Sequence, residues 1–261
     1  MEGISTVIHL AGKAHDLKNT SDRDEYFKVN LGLTQQLFEL FLLSNATHFI
    51  YFSSVKAAPD RVEGVLDEGV IPAPQTAYGK SKLAAEQYLL SKSLPYGKRL
   101  LILRPCMIHG PGNKGNLNLL FNVIKKGIPY PLAAFKNERS FLSIENCCFI
   151  MEQLLKADTV PSGVYQLADD EGISTLETVR LIASTIGVKA RLINIPPGFI
   201  YLFSKAGDIF RLPFSSERLE KLTENYLVSN YKIKKALGLD HLPLSVSEGL
   251  QKTIQSFVPH G

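Results

Sequence analysis

The chain has 261 residues, 45% of them hydrophobic and 21% charged, which is the composition of a globular protein large enough to bury a sizeable core. A formal charge of +4 is mild, and it suits an average surface at least as well as it suits an anionic substrate. Three cysteines, two of them the adjacent Cys147 and Cys148, form neither a disulfide framework nor a metal-binding spacing, and no run reaches the ~18 apolar residues of a membrane span. The first residues have neither the charged nor the apolar region of a secretion signal, so the expectation is a cytoplasmic protein without membrane or nucleic-acid partners.

In chain order, Ile4–Leu10 is a short β-branched run that reads as a buried strand, closed by Ala11-Gly12. From Asp22 to Ser44, apolar residues recur at Tyr26/Phe27, Leu31, Thr34, Leu37/Phe38 and Phe41/Leu42, the spacing of a helix. His48–Ser53 is a second strand, Tyr78–Leu90 a second helix and Arg99–Leu103 a third strand closed by Pro105. Alternation at these lengths implies βαβ units and a parallel sheet. Val164–Leu167 reads as a fourth strand, followed by a helix capped near Ser174 or Thr175 with Glu177 in its first turn. After Gly110 the texture changes to Gly/Pro loops, a helix over Leu117–Lys126, and short strand-like pieces at 128–132 and 190–195. The expected division is a partial Rossmann domain over 1–110 and a substrate lobe over 111–261, with the strand near 164–168 returning to the first domain.

The sharpest chemical pattern is Tyr78-Gly79-Lys80-Ser81-Lys82. On a helix Tyr78 and Lys82 share a face. A free phenol ionises near pH ~10, too high for a base at neutral pH, and a nearby ammonium favours the phenolate. The hydroxyls of Ser53 and Ser54 stand at a strand's C-terminal end, where open parallel sheets bind ligands. Taken alone, Tyr and Lys four apart are a common solvated pair. Their order with the flanking strands sharpens the reading.

Together the segments VIHLAG (7–12), VNLGLT (29–34), FIYFSS (49–54), TAYGKSKLAAEQ (76–87), RPCMIHGPG (104–112), RSFLSIEN (139–146) and the closing 230–250 resemble the extended short-chain dehydrogenase/reductases. Within them the resemblance is to the NAD-dependent nucleotide-sugar epimerase/dehydratase branch, and it covers nearly the whole chain in the family's order. It implies an α/β, doubly wound Rossmann sheet with a small C-terminal substrate lobe. Tyr78 would exchange the proton of the sugar 4-hydroxyl, Lys82 would lower its pKa and hold the nicotinamide ribose, and Ser54 would bond the same hydroxyl. Ala11, Gly12, Lys13 and Asn30 would line the NAD or NADP site, and Asn116 and Arg139 would meet the substrate diphosphate. No metal is implied, and the histidines (His9, His15, His48, His241, His260) show no ligand spacing.

The departures narrow the expectation. Ser54 is followed by Val55-Lys56 where 4,6-dehydratases carry an acid, which disfavours dehydration. Met107 replaces an asparagine, His109 replaces a loop tyrosine and reads as a tolerated change, and Leu33 replaces a glycine. The family's first strand, glycine-rich phosphate turn and helix have no counterpart here, so the resemblance places residue 1 about two βα units into the fold. The expected activity is 4-epimerisation of a UDP-hexose or UDP-N-acetylhexosamine through a 4-keto sugar. The alternatives are a 4-keto-sugar reductase and a catalytically incompetent truncated or split gene product. Expected partners are the nucleotide sugar, a second copy in a homodimer, or a separately encoded N-terminal half.

Overall fold

The computed structural model describes residues 3–14, 23–113, 115–210 and 216–258. The elements in chain order begin with β1 (Thr6–His9), α1 (Arg23–Phe27), α2 (Leu33–Leu42), β2 (His48–Phe52), β3 (Val65–Leu66), α3 (Ala77–Leu90) and β4 (Arg99–Pro105). They continue with β5 (Met107–His109), α4 (Asn116–Lys125), β6 (Glu138–Ser143), α5 (Ile144–Lys156), β7 (Gly163–Leu167), β8 (Gly172–Ser174) and α6 (Thr175–Thr185). The last are α7 (Pro197–Phe210), α8 (Ser216–Thr223), β9 (Leu227–Val228), α9 (Tyr231–Leu237) and α10 (Val246–Gln255). They fall into two compact units, the first made of 1–107, 147–168 and 228–242, the second of 108–146, 169–227 and 243–261.

The first unit is built on a sheet of order β1-β2-β4-β7, parallel throughout. Its strands are short, apolar and β-branched, as a sheet covered on both faces requires. The aromatic face of α2 packs on it. Phe38 and Phe41 are fully buried with Phe49 and Tyr51 of β2 and Ala85 and Leu89 of α3. Each such large side chain contributes about 1.5–3 kcal/mol. Lys98 ties the end of α2 to β4, its ammonium donating to the carbonyls of Phe41, Ser44 and Ala46 at 3.0, 2.7 and 2.6 Å. This unit takes in more of the C-terminal half than the returning strand alone. Asn230 donates to the Ala168 carbonyl at 3.0 Å and Lys232 to that of Val164 at 2.7 Å, which draws 228–242 onto β7.

One expected element differs. The helix expected from Asp22 is interrupted by a π-helical turn over Lys28–Gly32 between α1 and α2, and Asp22 itself lies outside the described residues. The extra residue of a π turn re-aims a side chain without ending the helix. Here that side chain is Asn30.

The second unit packs α4, α6 and α10 around Leu117, Phe121, Val179, Ile182, Leu250 and Ile254. Its three-stranded sheet has the order β5-β6-β8. The strand-like pieces at 128–132 and 190–195 meet only through isolated bridges, Tyr130 with Leu192 and Leu132 with Asn194, because prolines on both sides prevent a longer ladder. Helices α6 and α10 each start with a capping box, Ser174 with Glu177 and Ser245 with Glu248.

Candidate active site

The C-terminal ends of β1 and β2 and the first turn of α3 converge in the first unit. Thr76 caps α3, its hydroxyl accepting from the Gly79 amide at 3.0 Å. Gly79 is demanded by crowding. A methyl group there would overlap the Lys56 carbonyl oxygen and come within 2.9 Å of Pro74. The helix start is thereby pressed onto the 3₁₀ turn Val55–Ala57, whose N-cap is Ser54. Tyr78 and Ser54 are held beside each other in this way.

Burial pushes the Tyr78 phenol above its ordinary pKa, while the Ser54 hydroxyl pulls it back. Lys82, one turn on, is buried. Desolvation lowers its ammonium to about 8, and Glu86 opposes that shift. Its Nζ donates to the Phe52 carbonyl at 2.9 Å and sits 4.8 Å from the centre of the Tyr51 ring. A Cβ placed on Gly12 would lie 3.0 Å from that same Nζ and 3.0 Å from Asn30 Oδ1. The backbone leaving β1 thus passes directly over the lysine, and only a residue without a side chain leaves this approach open.

Asn30 is fully buried and fully used. Its Oδ1 accepts from the Lys13 amide at 2.7 Å, and its Nδ2 donates to the Lys13 carbonyl at 3.0 Å and to Ser81 Oγ at 2.9 Å. Ser81 in turn donates to the Tyr78 carbonyl at 2.8 Å. On the other side Thr34 gives its one proton to the Asn30 carbonyl at 2.6 Å, so His9 Nε2, 2.8 Å from that hydroxyl, must be the donor. One directed chain therefore runs between β1, the π turn and α3. Lys13 closes it outward with an ion pair to Glu25 at 2.6 Å.

Beneath the site lies a cluster that residue spacing did not single out. Glu86, on the Lys82 face of α3, accepts from Arg104 Nε at 2.9 Å and Nη2 at 2.5 Å, and also from the Ser53 hydroxyl. All three are buried. The signal was available, since Glu86 follows Lys82 by four residues and Arg104 ends a strand, but a buried ion pair has no sequence pattern of its own.

Of the expected site residues, Gly12, Lys13, Asn30, Ser54, Tyr78 and Lys82 belong to this constellation, and Ala11 precedes it as an exposed residue. Asn116 and Arg139 lie in the second unit. Asn116 is the exposed first residue of α4 behind Gly115. Arg139, on β6, is half-buried and donates from Nε to the Glu224 carbonyl at 3.3 Å; burial lowers its pKa, and Glu224 and Tyr130 oppose this. His109 is more than a loop replacement: it is buried, with Nδ1 2.9 Å from Thr253 Oγ1. Among the described residues no three His, Cys, Asp or Glu side chains group as a metal site, and no helix is long and apolar enough to cross a membrane.

The chain is similar to known proteins over nearly its whole length. The chain is 28% identical to a UDP-glucose 4-epimerase of Vibrio cholerae over 99% of its own length and 78% of the relative's. It is 26% identical to an N-acetyl-alpha-D-glucosaminyl-diphospho-ditrans,octacis-undecaprenol 4-epimerase of Escherichia coli O157:H7, over 98% of this chain and 78% of that one. In fold it is similar to a UDP-glucuronic acid 4-epimerase of Bacillus cereus in complex with NAD, with a TM-score of 0.74 at 19% identity, covering 98% of this chain and 74% of that one. It is also similar to RMD from Pseudomonas aeruginosa complexed with NADPH, with a TM-score of 0.72 at 21% identity, covering 97% and 81%. The profile of the NAD dependent epimerase/dehydratase family matches residues 1–168, and the chain belongs to that family.

Proposed function

We propose that the chain is a 4-epimerase of a UDP-hexose or UDP-N-acetylhexosamine. The observation that carries this reading is the juxtaposition of Ser54, Tyr78 and Lys82 at the C-terminal edge of the parallel sheet, in a chain whose relatives include sugar 4-epimerases. The residues fit the nicotinamide end of NAD or NADP: Gly12 leaves backbone clearance over Lys82, and Asn30 fixes the Lys13 backbone beside it. When bound, the dinucleotide supplies a hydride acceptor and donor. Everything else falls to the side chains. Tyr78 takes the proton of the sugar 4-hydroxyl and later returns it. Ser54 donates its one proton to the Tyr78 phenolate, offsetting the burial that otherwise keeps Tyr78 protonated. Lys82, whose pKa of about 8 leaves it charged at neutral pH, adds the positive field. Asn116 and Arg139 are the proposed diphosphate contacts, the guanidinium offering a planar fork.

The test is incubation with NAD and either UDP-glucose or UDP-N-acetylglucosamine, with the C4 epimer read by NMR. Tyr78→Phe should lower turnover by about 10²–10⁴-fold, the range for a general acid–base group, with substrate affinity little changed. Equal turnover in the variant would remove Tyr78 from the chemistry. A 4-keto-sugar reductase is the second reading, favoured by the similarity to a GDP-6-deoxy-D-mannose reductase of Pseudomonas aeruginosa. Stoichiometric rather than catalytic consumption of the reduced dinucleotide distinguishes it.

A further inference from the structure

Helix α7 presents the wrong face to water. Ile200 and Ser204, four apart, point into the second unit and are buried, and Tyr201 packs edge-on against Phe135 with ring centroids 5.9 Å apart. On the outward side Phe199, Leu202 and Phe203 recur at helical spacing and stay 59%, 65% and 64% exposed. The outer stripe of a surface helix is normally polar. A contiguous apolar stripe of this kind marks a contact surface.

Two stretches of chain beside it are basic, although Asp208 near its end and Glu220 on α8 are exposed carboxylates. Stretches 116–137 and 187–207 contain Lys125, Lys126, Lys136, Lys189, Arg191 and Lys205, and not one Asp or Glu. The two stretches lie side by side: the Tyr130 amide donates to the Arg191 carbonyl at 2.7 Å and the Ile193 amide to the Tyr130 carbonyl at 2.9 Å. This seats the Arg191 guanidinium next to Gly127, immediately after Lys125 and Lys126. Ile128 and Ile193 are exposed among these cations. The first carboxylate after the helix's apolar stripe, Asp208, is engaged by the Ser216 amide at 3.0 Å.

Exposed aromatic and aliphatic side chains on a helix flanked by two basic stretches without acids fit one surface, the headgroup–acyl boundary of an anionic bilayer. There the apolar stripe leaves water and the cations meet lipid phosphates. We propose that α7, with the basic stretches beside it, is an interfacial membrane-docking face. The inference is independent of the reaction assigned above. It differs from the composition-based expectation of no membrane partner, which weighed only membrane spans.

The test is vesicle flotation of the whole chain, with phosphatidylglycerol/phosphatidylcholine vesicles against phosphatidylcholine alone, and light scattering in parallel. The expected result is binding to the anionic vesicles that is at least about tenfold tighter than to the neutral ones and weakened by salt. The combined substitution Phe199→Ser, Leu202→Ser and Phe203→Ser should lose it by a similar factor, as should Lys189→Glu with Arg191→Glu. Leu43→Ser, an exposed apolar site in the first unit, should not. All these side chains are exposed, so circular dichroism should report intact folds. Absence of flotation, flotation indifferent to the α7 and basic-stretch variants, or self-association abolished by the triple variant would overturn the proposal. The last result would assign the face to a second copy of the chain.

Discussion

Each unit buries a carboxylate, and the two are neutralised differently. In the first unit Glu86 meets a full positive charge, the Arg104 fork, with Ser53 adding a third donor. In the second, Asp169 is held by neutral donors: the Ser143 amide at 3.1 Å to each oxygen and Asn146 Nδ2 at 2.7 Å. His109 Nε2 stands 3.8 Å from Asp169, too far for a hydrogen bond. The reason lies on the ring's other side. Thr253 gives its proton to the Gly249 carbonyl at 3.2 Å and so must accept from His109 Nδ1, which leaves Nε2 without a hydrogen-bond partner. One cluster balances charge with charge and is closed. The other balances charge with dipoles and leaves a buried nitrogen unsatisfied. The closed cluster lies under the proposed chemistry, where displaced charges would also move Lys82.

The comparison breaks most sharply at the ion pair. Glu86→Leu or Arg104→Leu alone should cost about 3–5 kcal/mol, because the surviving charge is buried without a partner, and the double replacement should recover much of it. Urea unfolding of the three variants measures this. A single-variant loss under about 1 kcal/mol would put the pair on a par with exposed ones. Asp169→Asn should cost less, about 1–3 kcal/mol, since the new amide nitrogen faces the donors of Ser143 and Asn146 but no charge is stranded.

Protons probe the first unit from another direction. Burial and the neighbouring Lys82 lower His9 from 6.5 to about 4, and burial lowers Lys82 from 10.5 to about 8. In both windows the unfolded chain binds more protons than the folded one, so stability rises with pH, from 4 to 6.5 and again from 8 to 10.5. Denaturation midpoints across pH should show both rises. His9→Gln should flatten the first and Lys82→Met the second. The smallest effect is at the helix caps. Thr76→Ala in the first unit and Ser174→Ala in the second should each cost about 1 kcal/mol of stability, yet only Thr76→Ala should also lower turnover, because its helix carries Tyr78.

Much of this was legible in the sequence because short-range rules govern it. Periodicity placed the four strands of the parallel sheet, and α3 and α4, within a residue or two, and the cap expected near Ser174 or Thr175 is Ser174. The grouping of Tyr78, Lys82 and Ser54 was readable because strand–helix order carries it. What escaped is non-local. The π turn at Lys28–Gly32 preserves helical spacing on either side, so nothing in the apolar pattern shows it; only the four bonds of Asn30, made to residues 13, 34 and 81, explain it. The partner of His109 lies at Thr253, and Arg104 reaches back to Glu86. Residues 147–162 and 228–242 join the first unit through packing and carbonyl bonds that composition does not record.

The crowding at Gly79 has a consequence for sequence drift. Because a side chain there strikes the Lys56 carbonyl, the tyrosine–lysine pair is readable as a five-letter word whose second letter reports on a different part of the chain. A related chain that keeps glycine at this place keeps the helix seated on the turn, and with it the upstream hydroxyl of Ser54. A chain that carries a bulkier letter must have moved that turn, and the hydroxyl with it. One column of an alignment therefore sorts relatives by how the Tyr78 phenol and the Ser54 hydroxyl are placed against each other, before any of them is purified.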